Sequence, residues 1–360
     1  MKRSNLLLFL SVITILFVIG CLSDAINKNN NQENIPDVLK DPNFEIHYID
    51  VGQADAALIL CEGHSMLIDG GNPDDSRKIA AYLKKHNVSH IDYIVCSHAH
   101  DDHVGGLPAA LSVAAVGAVY APKTESNIKS YRSFKNKSLE KGLSIITPVP
   151  KDIITLGRST VQFLGPISEN VTDLNNTSIV LKITYGKTSF LFTGDAEREE
   201  EQSILSQNFD LSSTVLKVGH HGSPDSTTYP FLREIMPQYA IISVGENSYG
   251  HPRDSVLSRL DDAGVQVLRT DLDGDIIAIS NGTTVEITTS KNSNANNLSG
   301  YENDSPKDML YIGNQKSKKV HTEHCNSLPL EKNRVYFLSL DEALDNGYSP
   351  CKNCIKNYQN

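Results

Sequence analysis

Between residues 97 and 106 the chain reads Ser97-His98-Ala99-His100-Asp101-Asp102-His103-Val104-Gly105-Gly106. Three histidines and two aspartates fall within six residues, directly after the apolar run Ile91–Cys96. That run is short, rich in branched side chains and ended by polar residues, which predicts a buried strand. The two glycines then allow a turn into the apolar Leu107–Val116, which we predict to be a helix. Imidazole and carboxylate groups on the loop that ends a strand indicate a metal site, and this donor set suits zinc, manganese or iron.

Length and charge limit the class of protein. The chain has 360 residues, enough for one large domain and a small one. Its formal net charge of −10 argues against a protein whose whole surface binds nucleic acid, although a local basic groove is compatible with that charge. The 39% of apolar residues, with ordinary numbers of glycine and proline, is typical of a globular chain.

Residues 1–21 have the features of an export signal. Two basic residues precede the apolar run Leu6–Gly20, which is short for a bilayer span but suits the core of a signal peptide. The run leads into Val18-Ile19-Gly20-Cys21, which resembles the lipobox of exported lipoproteins, so Cys21 is the predicted lipidation site. An uncleaved N-terminal anchor is the alternative. Either way we expect an exported protein anchored to the outer face of the cell membrane, with residues 22–42 as a tether.

Residues 43–290 are predicted to form one domain of many short strands with helices between them. Besides Ile91–Cys96, the predicted strands are Phe44–Val51, Ala56–Leu60, Ser65–Ile68, Gly117–Ala121, Thr160–Leu164, Ser178–Tyr185, Thr188–Thr193, Thr214–Gly219, Tyr239–Val244, Val265–Arg269 and Asp275–Ser280. Further helices are predicted at Ser76–His86, Glu197–Ser206, Thr228–Ile235 and Arg253–Ala263. Because strands and helices do not alternate regularly early in the chain, two packed sheets with helices outside are expected.

Several polar residues stand at the ends of predicted strands. Asp69 follows Leu67-Ile68, Asp195 follows the apolar Phe190–Phe192, and the pair His220-His221 follows Thr214–Lys217. A single carboxylate at a strand end is as often a turn former as a ligand. Together with the histidine-rich stretch, however, these residues supply enough ligands for two metal ions.

This order of residues resembles the metallo-β-lactamase superfamily. More narrowly, the chain resembles the hydrolase domain at the C-terminus of competence DNA-uptake channel proteins. The matching segments are Ile49–Asp55, Ser97–Gly106, Phe192–Asp195, Leu216–Ser223, Gly250-His251-Pro252 and Arg269-Thr270-Asp271. They span nearly all of residues 44–287, and the resemblance implies an α+β fold, a four-layer αββα sandwich with the metals at the sheet edges.

The resemblance also implies a role for each matching residue. The implied ligands of two divalent ions, zinc or manganese, are His98, His100, Asp102, His103, Asp195, His220 and His221. The first two would hold one ion, Asp102 and His103 the other, and Asp195 would bridge them. One member of the adjacent histidine pair would complete the site, and the sequence does not say which. Asp69 would orient a ligand from behind.

One difference from the wider superfamily supports the narrower resemblance to the competence-type branch. No histidine lies between His103 and His220, so the separate histidine that usually completes the first metal position is missing. The segment Asn175–Ser178 occupies that region, as a similar segment does in the competence-type branch. Occupancy of the first metal position is therefore the less secure of the two.

Such a site predicts hydrolysis by a metal-activated hydroxide, which attacks phosphorus or a carbonyl carbon while the cations neutralise developing charge. Asp102, Asp195 and His251 are the predicted catalytic residues. For His251, a turn position between Gly250 and Pro252 is the alternative. The predicted substrate-binding residues are Asn176, Ser223 and Asn247.

Beyond an Asn- and Ser-rich linker at residues 291–308, residues 309–360 are predicted to form a zinc-binding module. His321-x3-Cys325 and Cys351-x2-Cys354 have the spacing of a tetrahedral structural site. A disulfide is the alternative in an exported protein, and His324 is an alternative to His321. The segment resembles the zinc domain of the bacterial adaptive-response DNA methyl-phosphotriester repair protein, with His321 in place of the methyl-accepting cysteine. A structural or DNA-contacting role is therefore expected rather than repair.

Two classes of function remain open. The first is an exported metal-dependent phosphodiesterase that acts on DNA, or on another phosphodiester, in competence-type DNA uptake. The second is a DNA- or partner-binding protein with a vestigial metal core. Within the enzyme class, hydrolysis of a phosphocholine ester or a lactone is a further alternative. The C-terminal module, with eight Lys and Arg against six Asp and Glu over residues 307–360, is expected to recruit DNA.

Overall fold

The computed structural model describes residues 43–124, 126–168, 171–291, 311–322, 325, 327–330, 333–337 and 340–355. The predicted signal peptide with Cys21, the predicted tether, nearly all of the predicted linker and His324 lie outside these residues. The described residues from Asn43 onward belong to one compact unit. None of the described helices is long and apolar enough to cross a membrane.

The described elements are short, as expected from the frequent polar turns. The strands are β1 (Phe44–Tyr48), β2 (Ala57–Cys61), β3 (His64–Ile68), β4 (His90–Val95), β5 (Ala115–Tyr120), β6 (Ile145–Ile146), β7 (Ile153–Leu156), β8 (Ser159–Phe163), β9 (Leu181–Tyr185), β10 (Thr188–Phe192), β11 (Val215–Lys217), β12 (Tyr239–Ile242), β13 (Gln266–Arg269), β14 (Ile276–Ser280), β15 (Val285–Thr289), β16 (Tyr311–Asn314), β17 (Lys319–Thr322), β18 (Arg334–Phe337) and β19 (Ser349–Pro350). The α-helices are α1 (Ser76–Lys85), α2 (Asp101–Val104), α3 (Leu107–Val113), α4 (Lys129–Glu140), α5 (Arg198–Leu205), α6 (Tyr229–Ile235), α7 (Asp254–Asp262), α8 (Thr270–Asp273) and α9 (Leu340–Asp345). Short 3-10 turns lie at Pro73–Asp75, Asn175–Thr177 and Gly219–Gly222.

Two mixed sheets form the centre of the molecule. In the described part of the chain, sheet A has the strand order β15-β14-β1-β2-β3-β4-β5-β6, and sheet B has the order β13-β12-β11-β10-β9-β8-β7. Successive side chains of a strand point to opposite faces. In β3, Met66 and Ile68 therefore enter the core between the sheets, whereas Leu67 enters the core on the other face. Across the interface Phe44 stacks on Tyr185.

Helices cover the outer face of each sheet. On sheet A, Ile79 of α1 and Phe134 of α4 belong to one buried apolar cluster. On sheet B, Phe231 of α6 and Leu257 of α7 belong to another. The result is four layers in the order α, β, β, α, which confirms the predicted α+β sandwich.

The polar residues singled out in the sequence follow strands that are neighbours in these sheets. β3 and β4 are parallel neighbours in sheet A, and Asp69 and Ser97 follow their carboxyl ends. β10 and β11 are parallel neighbours in sheet B, and Asp195 and His220 follow theirs. Because parallel strands end at the same edge of a sheet, the topology collects these loops at one end of the sandwich.

On sheet A, one helix prediction extends too far and one helix was missed. The helix predicted at Leu107–Val116 ends at Val113, because β5 begins at Ala115 and pairs in parallel with β4. Helix α4 was not predicted at all. The apolar residues that it buries are Tyr131 and Phe134, with serines at its other buried positions, so its apolar stripe is too thin for a clear helical period.

The C-terminal residues add a small sheet with the strand order β18-β16-β17-β19, together with α9. Its core contains Val320, Phe337, Ala343 and Tyr348. Gly313 of β16 lies beneath two of these rings, and a Cβ there would come within 2.6 Å of both Phe337 and Tyr348. The aromatic rings therefore pack directly on the backbone of this strand.

Candidate metal centre

Asp195 lies at the centre of the candidate site. It follows β10 after a turn in which Gly194 has φ +52°, and its backbone N–H donates to Oγ of Ser178 at 3.0 Å. The side chain is buried, and its Oδ2 lies 3.2 Å from Nε2 of His103. The Nε2 atoms of three more histidines surround the same oxygen, namely His98 at 3.9 Å, His220 at 3.7 Å and His221 at 3.7 Å.

His103 is oriented from behind by Asp69. Oδ2 of Asp69 lies 2.9 Å from Nδ1 of His103, so Nδ1 donates its proton to Asp69 and Nε2 is the nitrogen that faces Asp195. Ser97 holds the carboxylate in turn, because its backbone N–H and its hydroxyl each donate to Asp69 at 2.7 Å. This geometry suits the supporting role that the sequence predicts for Asp69.

The turn after β11 presents its two histidines in different ways. Both have a left-handed backbone, with φ 49° at His220 and 54° at His221. Nδ1 of His221 lies 2.9 Å from the carbonyl oxygen of Ser243, so its Nε2 faces inward, 3.3 Å from Oδ2 of Asp102. Nδ1 of His220 lies instead 3.2 Å from Oε1 of Glu197.

The predicted ligands form two groups around Asp195. In the tighter group the donor atoms lie within 4.8 Å of one another, and its members are Asp102, His103, Asp195 and His221. The sequence did not say which histidine of the adjacent pair joins this group, and the structure places His221 there. In the second group, Nε2 of His98 and Nδ1 of His100 face each other at 2.9 Å.

The tighter group has the properties of a cation site. Nε2 of His103, Nε2 of His221 and Oδ1 of Asp195 are buried and make no hydrogen bond to any described residue. Burial disfavours an imidazolium, yet Asp195 and the other nearby carboxylates raise the pKa of His103 well above its usual range. Burial is likewise outweighed at His221, where Asp195 and Asp55 raise the pKa to about 10. Buried imidazole nitrogens and a buried carboxylate oxygen that lack hydrogen-bond partners, in surroundings that favour positive charge, fit a divalent cation.

A cavity of about 360 Å³ opens onto this centre. It is lined by Gln53, His100, Asp101, Asp102, Ile128, Asn175, Asp195, His220, His221, Tyr249 and His251. Tyr249 is 64% exposed at its mouth and stacks on His251 with ring centroids 5.6 Å apart. Burial and the neighbouring His220 lower the pKa of His251 to about 4, so this imidazole is neutral at pH 7.

The three predicted substrate-binding residues lie elsewhere. The amide of Asn176 accepts a hydrogen bond from the backbone N–H of Glu197 at 2.9 Å. Ser223 is buried. Asn247 bonds the backbone of its own loop, donating to the carbonyl oxygens of Gly245 and His251 at 2.8 Å. None of the three lines the described cavity, whereas Asn175, beside Asn176, does.

A sequence model of the metallo-beta-lactamase superfamily matches residues 49–246. The chain belongs to the metallo-beta-lactamase superfamily. The matched segment contains both ligand groups described above, from His98 to His221, and the supporting Asp69. His251 lies just beyond it.

Three relatives of this superfamily member have competence- or recombination-related names. The chain is 30% identical over 258 residues to ComE operon protein 3 of Bacillus subtilis, 29% over 242 residues to Competence protein ComA of Neisseria gonorrhoeae, and 30% over 231 residues to Recombination protein 2 of Haemophilus influenzae. The alignments cover 64%, 66% and 62% of this chain but 32%, 33% and 27% of the relatives. The chain thus spans about a third of the length of these relatives.

Two solved structures are also similar to the chain. One is the metallo-beta-lactamase fold protein YhfI of Bacillus subtilis, with 14% identity and a TM-score of 0.46 over 65% of this chain and 98% of that protein. Another is a diphosphatase from the PhnP family, with 18% identity and a TM-score of 0.38 over 60% of this chain and 81% of that protein.

Sequence reasoning missed a buried ion pair that supports the metallo-beta-lactamase centre. Oδ2 of Asp55 lies 2.8 Å from Nζ of Lys217, and Oδ1 of Asp55 lies 3.3 Å from Nδ1 of His221. Burial disfavours the carboxylate, but Lys217 and His221 hold the pKa of Asp55 below its usual range. The available signal was the position of both residues at strand ends inside matching segments.

A second missed group supports His220. Nδ2 of Asn175 donates to Oε1 of Glu197 at 2.9 Å, and the same oxygen faces Nδ1 of His220. The facing His220 ring, together with the hydrogen bond from Asn175, lowers the pKa of Glu197 against the effect of burial. Glu197 therefore lies behind His220 as Asp69 lies behind His103, although Nδ1 of His220 makes no hydrogen bond to any described residue.

Outside the metallo-beta-lactamase domain, the predicted module brings four donors together. Ligand atoms of His321, Cys325, Cys351 and Cys354 lie within 4.8 Å of one another. Nδ1 of His321 lies 3.3 Å from Sγ of Cys325, and the described cysteines are all free thiols. One imidazole and three thiols are a donor set that fits a closed tetrahedral metal site.

Proposed function

We propose that the protein is a metal-dependent phosphodiesterase that acts on DNA. The observation that carries the proposal is Oδ2 of Asp195, with four imidazole nitrogens within 3.9 Å, beside an open cavity. Membership of a superfamily of metal-dependent hydrolases supports hydrolysis. The names of the competence relatives support a role in DNA uptake.

The donor set fits two divalent ions, zinc or manganese. We assign Asp102, His103 and His221 to one ion and His98 and His100 to the other, with Asp195 between them. His220 is the candidate that completes the second group, because Glu197 lies behind its ring and its Nε2 lies 3.7 Å from Asp195. Divalent cations held there activate water and neutralise charge on phosphoryl oxygens.

Two side chains at the cavity are assigned to the reaction itself. Asp102 is 31% exposed, against 2% for Asp195, so its carboxylate can accept a hydrogen bond from the attacking water and align it. His251 is a neutral imidazole whose buried Nδ1 has no partner among the described residues. It is placed to hydrogen-bond a substrate oxygen at the cavity wall.

A polynucleotide substrate is supported by the aromatic side of the cavity. Tyr249 is largely exposed and is backed by the ring of His251. An exposed ring held flat at a site mouth suits a nucleobase, because every base has a face that stacks on an aromatic side chain.

A basic helix beside the cavity gives further support. Residues 123–141 contain six Lys and Arg and two Glu on a chain of net charge −10. Ile128, directly before α4, lines the cavity, and Lys129 and Arg132 line a groove of about 580 Å³ along the helix. Both cations are exposed and pair with no described carboxylate, so this surface suits the phosphates of a strand that continues from the cavity.

The deciding experiment offers one enzyme several substrates. The full chain is stripped of metal, reloaded separately with zinc and manganese, and tested on single-stranded DNA, a small phosphodiester, a phosphocholine ester and a lactone. We expect metal-dependent cleavage of DNA and of the small diester. Cleavage of only the lactone or the phosphocholine ester would contradict the proposal, and DNA binding without any turnover would favour a vestigial core.

Two further assignments complete the proposal. We assign a structural zinc ion to His321, Cys325, Cys351 and Cys354. We also assign export and membrane anchoring to the N-terminal segment through lipid on Cys21. Replacement of Cys21 with serine should release the protein from the membrane fraction, whereas retention would favour an uncleaved anchor.

A further inference from the structure

A carboxylate of the C-terminal module is inserted between two arginines of the hydrolase domain. Oδ1 of Asp345, at the end of α9, lies 2.8 Å from Nη1 of Arg198. Oδ2 of the same carboxylate lies 3.2 Å from Nη1 of Arg259. The side chains of Asp345 and Arg259 are 4% and 2% exposed, so this contact excludes water.

The other side of Arg259 faces the loop that carries the metal-centre histidines. Its Nη2 donates to the carbonyl oxygens of Pro224 and Ser226 at 3.3 and 3.2 Å. Arg198 reaches the same loop through its backbone, because its N–H donates to the carbonyl oxygen of Asp225 at 2.9 Å. The two arginines that Asp345 neutralises therefore hold residues 224–226, directly after His220-His221-Gly222-Ser223.

This loop needs such support because its backbone is strained. His220, His221 and Thr227 all have positive φ, at 49°, 54° and 55°. A residue with a side chain rarely adopts this conformation, and it persists where the surrounding structure fixes it. The bonds from Arg259 act between the two strained parts of the loop.

Charge explains why the support depends on the module. Among the described carboxylates, Asp345 is the one within ion-pair distance of Arg259. Glu201 and Asp341 also act on Arg259 but lie beyond ion-pair distance, and a buried guanidinium that loses its paired carboxylate is strongly destabilised. Without Asp345, Arg259 would therefore draw in water or turn away from the carbonyl oxygens of Pro224 and Ser226. The loop would then lose the hydrogen bonds that hold it.

We infer that Asp345 is a positioning residue for the metal centre, acting through Arg259 on the loop that presents His221. The C-terminal module is then a structural part of the hydrolase site rather than an appended binding unit. This inference goes beyond the proposed phosphodiesterase function and does not depend on the identity of the substrate.

The test compares Asp345→Asn with Glu342→Gln in the full chain. Both changes are isosteric and remove a carboxylate of α9, but Glu342 pairs with Arg233, whose side chain is 63% exposed. The readout is the affinity for each zinc ion, from competition with a chromogenic chelator and metal content per chain. We expect Asp345→Asn to weaken one hydrolase-site ion at least tenfold, with the module's own zinc retained, and Glu342→Gln to change neither.

Unchanged affinity of both hydrolase-site ions in a folded Asp345→Asn protein would overturn the inference, as would equal losses in the two variants. If Asp345→Asn does not fold, the zinc affinity of Arg259→Lys is measured instead. Lysine keeps a cation beside Asp345 but cannot span both loop carbonyls, so the hydrolase-site ion should again be weakened. Wild-type zinc affinity of the hydrolase site in Arg259→Lys would contradict the inference that Arg259 positions the loop. Because metal binding is measured without substrate, failure here is distinct from failure of the proposed activity.

Discussion

Oδ2 of Asp69 lies 2.9 Å from Nδ1 of His103, on the side of the ring away from Asp195. Asp69 therefore accepts the hydrogen bond from Nδ1, which leaves Nε2, on the side of Asp195, as the nitrogen that can bind a metal ion. Replacement of Asp69 with asparagine should leave the fold intact but remove the preference for this tautomer. We expect metal affinity and turnover to fall about 10- to 100-fold, measured by chelator competition and initial rates. Wild-type values for both would contradict the supporting role.

The buried pair of Asp55 and Lys217 predicts a loss of stability. Asp55→Asn leaves the Lys217 ammonium uncompensated in the core between the strand ends, which should cost about 3–5 kcal/mol of unfolding free energy. Urea denaturation of the metal-free protein measures it without interference from the metal. The control is Glu140→Gln, which breaks the exposed pair with Lys137 and should cost less than about 1 kcal/mol. If both changes lowered the free energy of unfolding equally, burial of the Asp55–Lys217 pair would not explain its contribution to stability.

Metal binding should release protons at pH 7. The raised pKa values of His103 and His221 mean that both are imidazolium in the metal-free protein, and both must lose a proton to become ligands. Affinity should therefore rise with pH, by about tenfold per pH unit for each proton released. Calorimetry of zinc binding to protein whose C-terminal site is already loaded, in buffers of different ionisation enthalpy, counts these protons without those of the cysteine thiols. His221→Ala should release one fewer, and a binding enthalpy independent of buffer would contradict this account.

Tyr249 provides a test of the polynucleotide path. Tyr249→Ala removes the exposed ring at the cavity mouth and should raise KM for single-stranded DNA about tenfold or more, since stacking on an aromatic side chain contributes about 1–3 kcal/mol per base. Hydrolysis of a small phosphodiester should stay within twofold of wild type. The matched control Tyr249→Phe keeps the ring and should behave as wild type toward DNA. Equal losses of activity on both substrates would mean that Tyr249 maintains the structure of the site and does not stack on a base.

Much of the candidate ligand set could be predicted because four of its members lie close together in the sequence. His98, His100, Asp102 and His103 stand within one loop after one strand, and Asp195 follows an unmistakable apolar run. The choice between His220 and His221 was beyond the sequence, since both have positive φ and their ring directions depend on Glu197 and Ser243.

Features that depend on distant parts of the chain were not predicted. Asp55 and Lys217 pair across sheets A and B, and Arg259 meets Asp345 across the hydrolase domain and the module. The expectation of a DNA-recruiting module rested on its charge count and on its resemblance to the zinc domain of a DNA repair protein, and it stays a prediction. A buried contact between single side chains leaves no periodic pattern in the sequence, so this docking could not be inferred from it.

We propose that Asp195 joins two catalytic metal ions. The most direct measurement is the zinc content of Asp195→Asn beside wild type, together with the rate of DNA cleavage. We predict three ions per wild-type chain, two in the hydrolase site and one in the module. The variant should keep the module's ion, bind the other two weakly, and cleave DNA at least a thousandfold more slowly. An Asp195→Asn protein with full metal content and near-normal turnover would contradict the account.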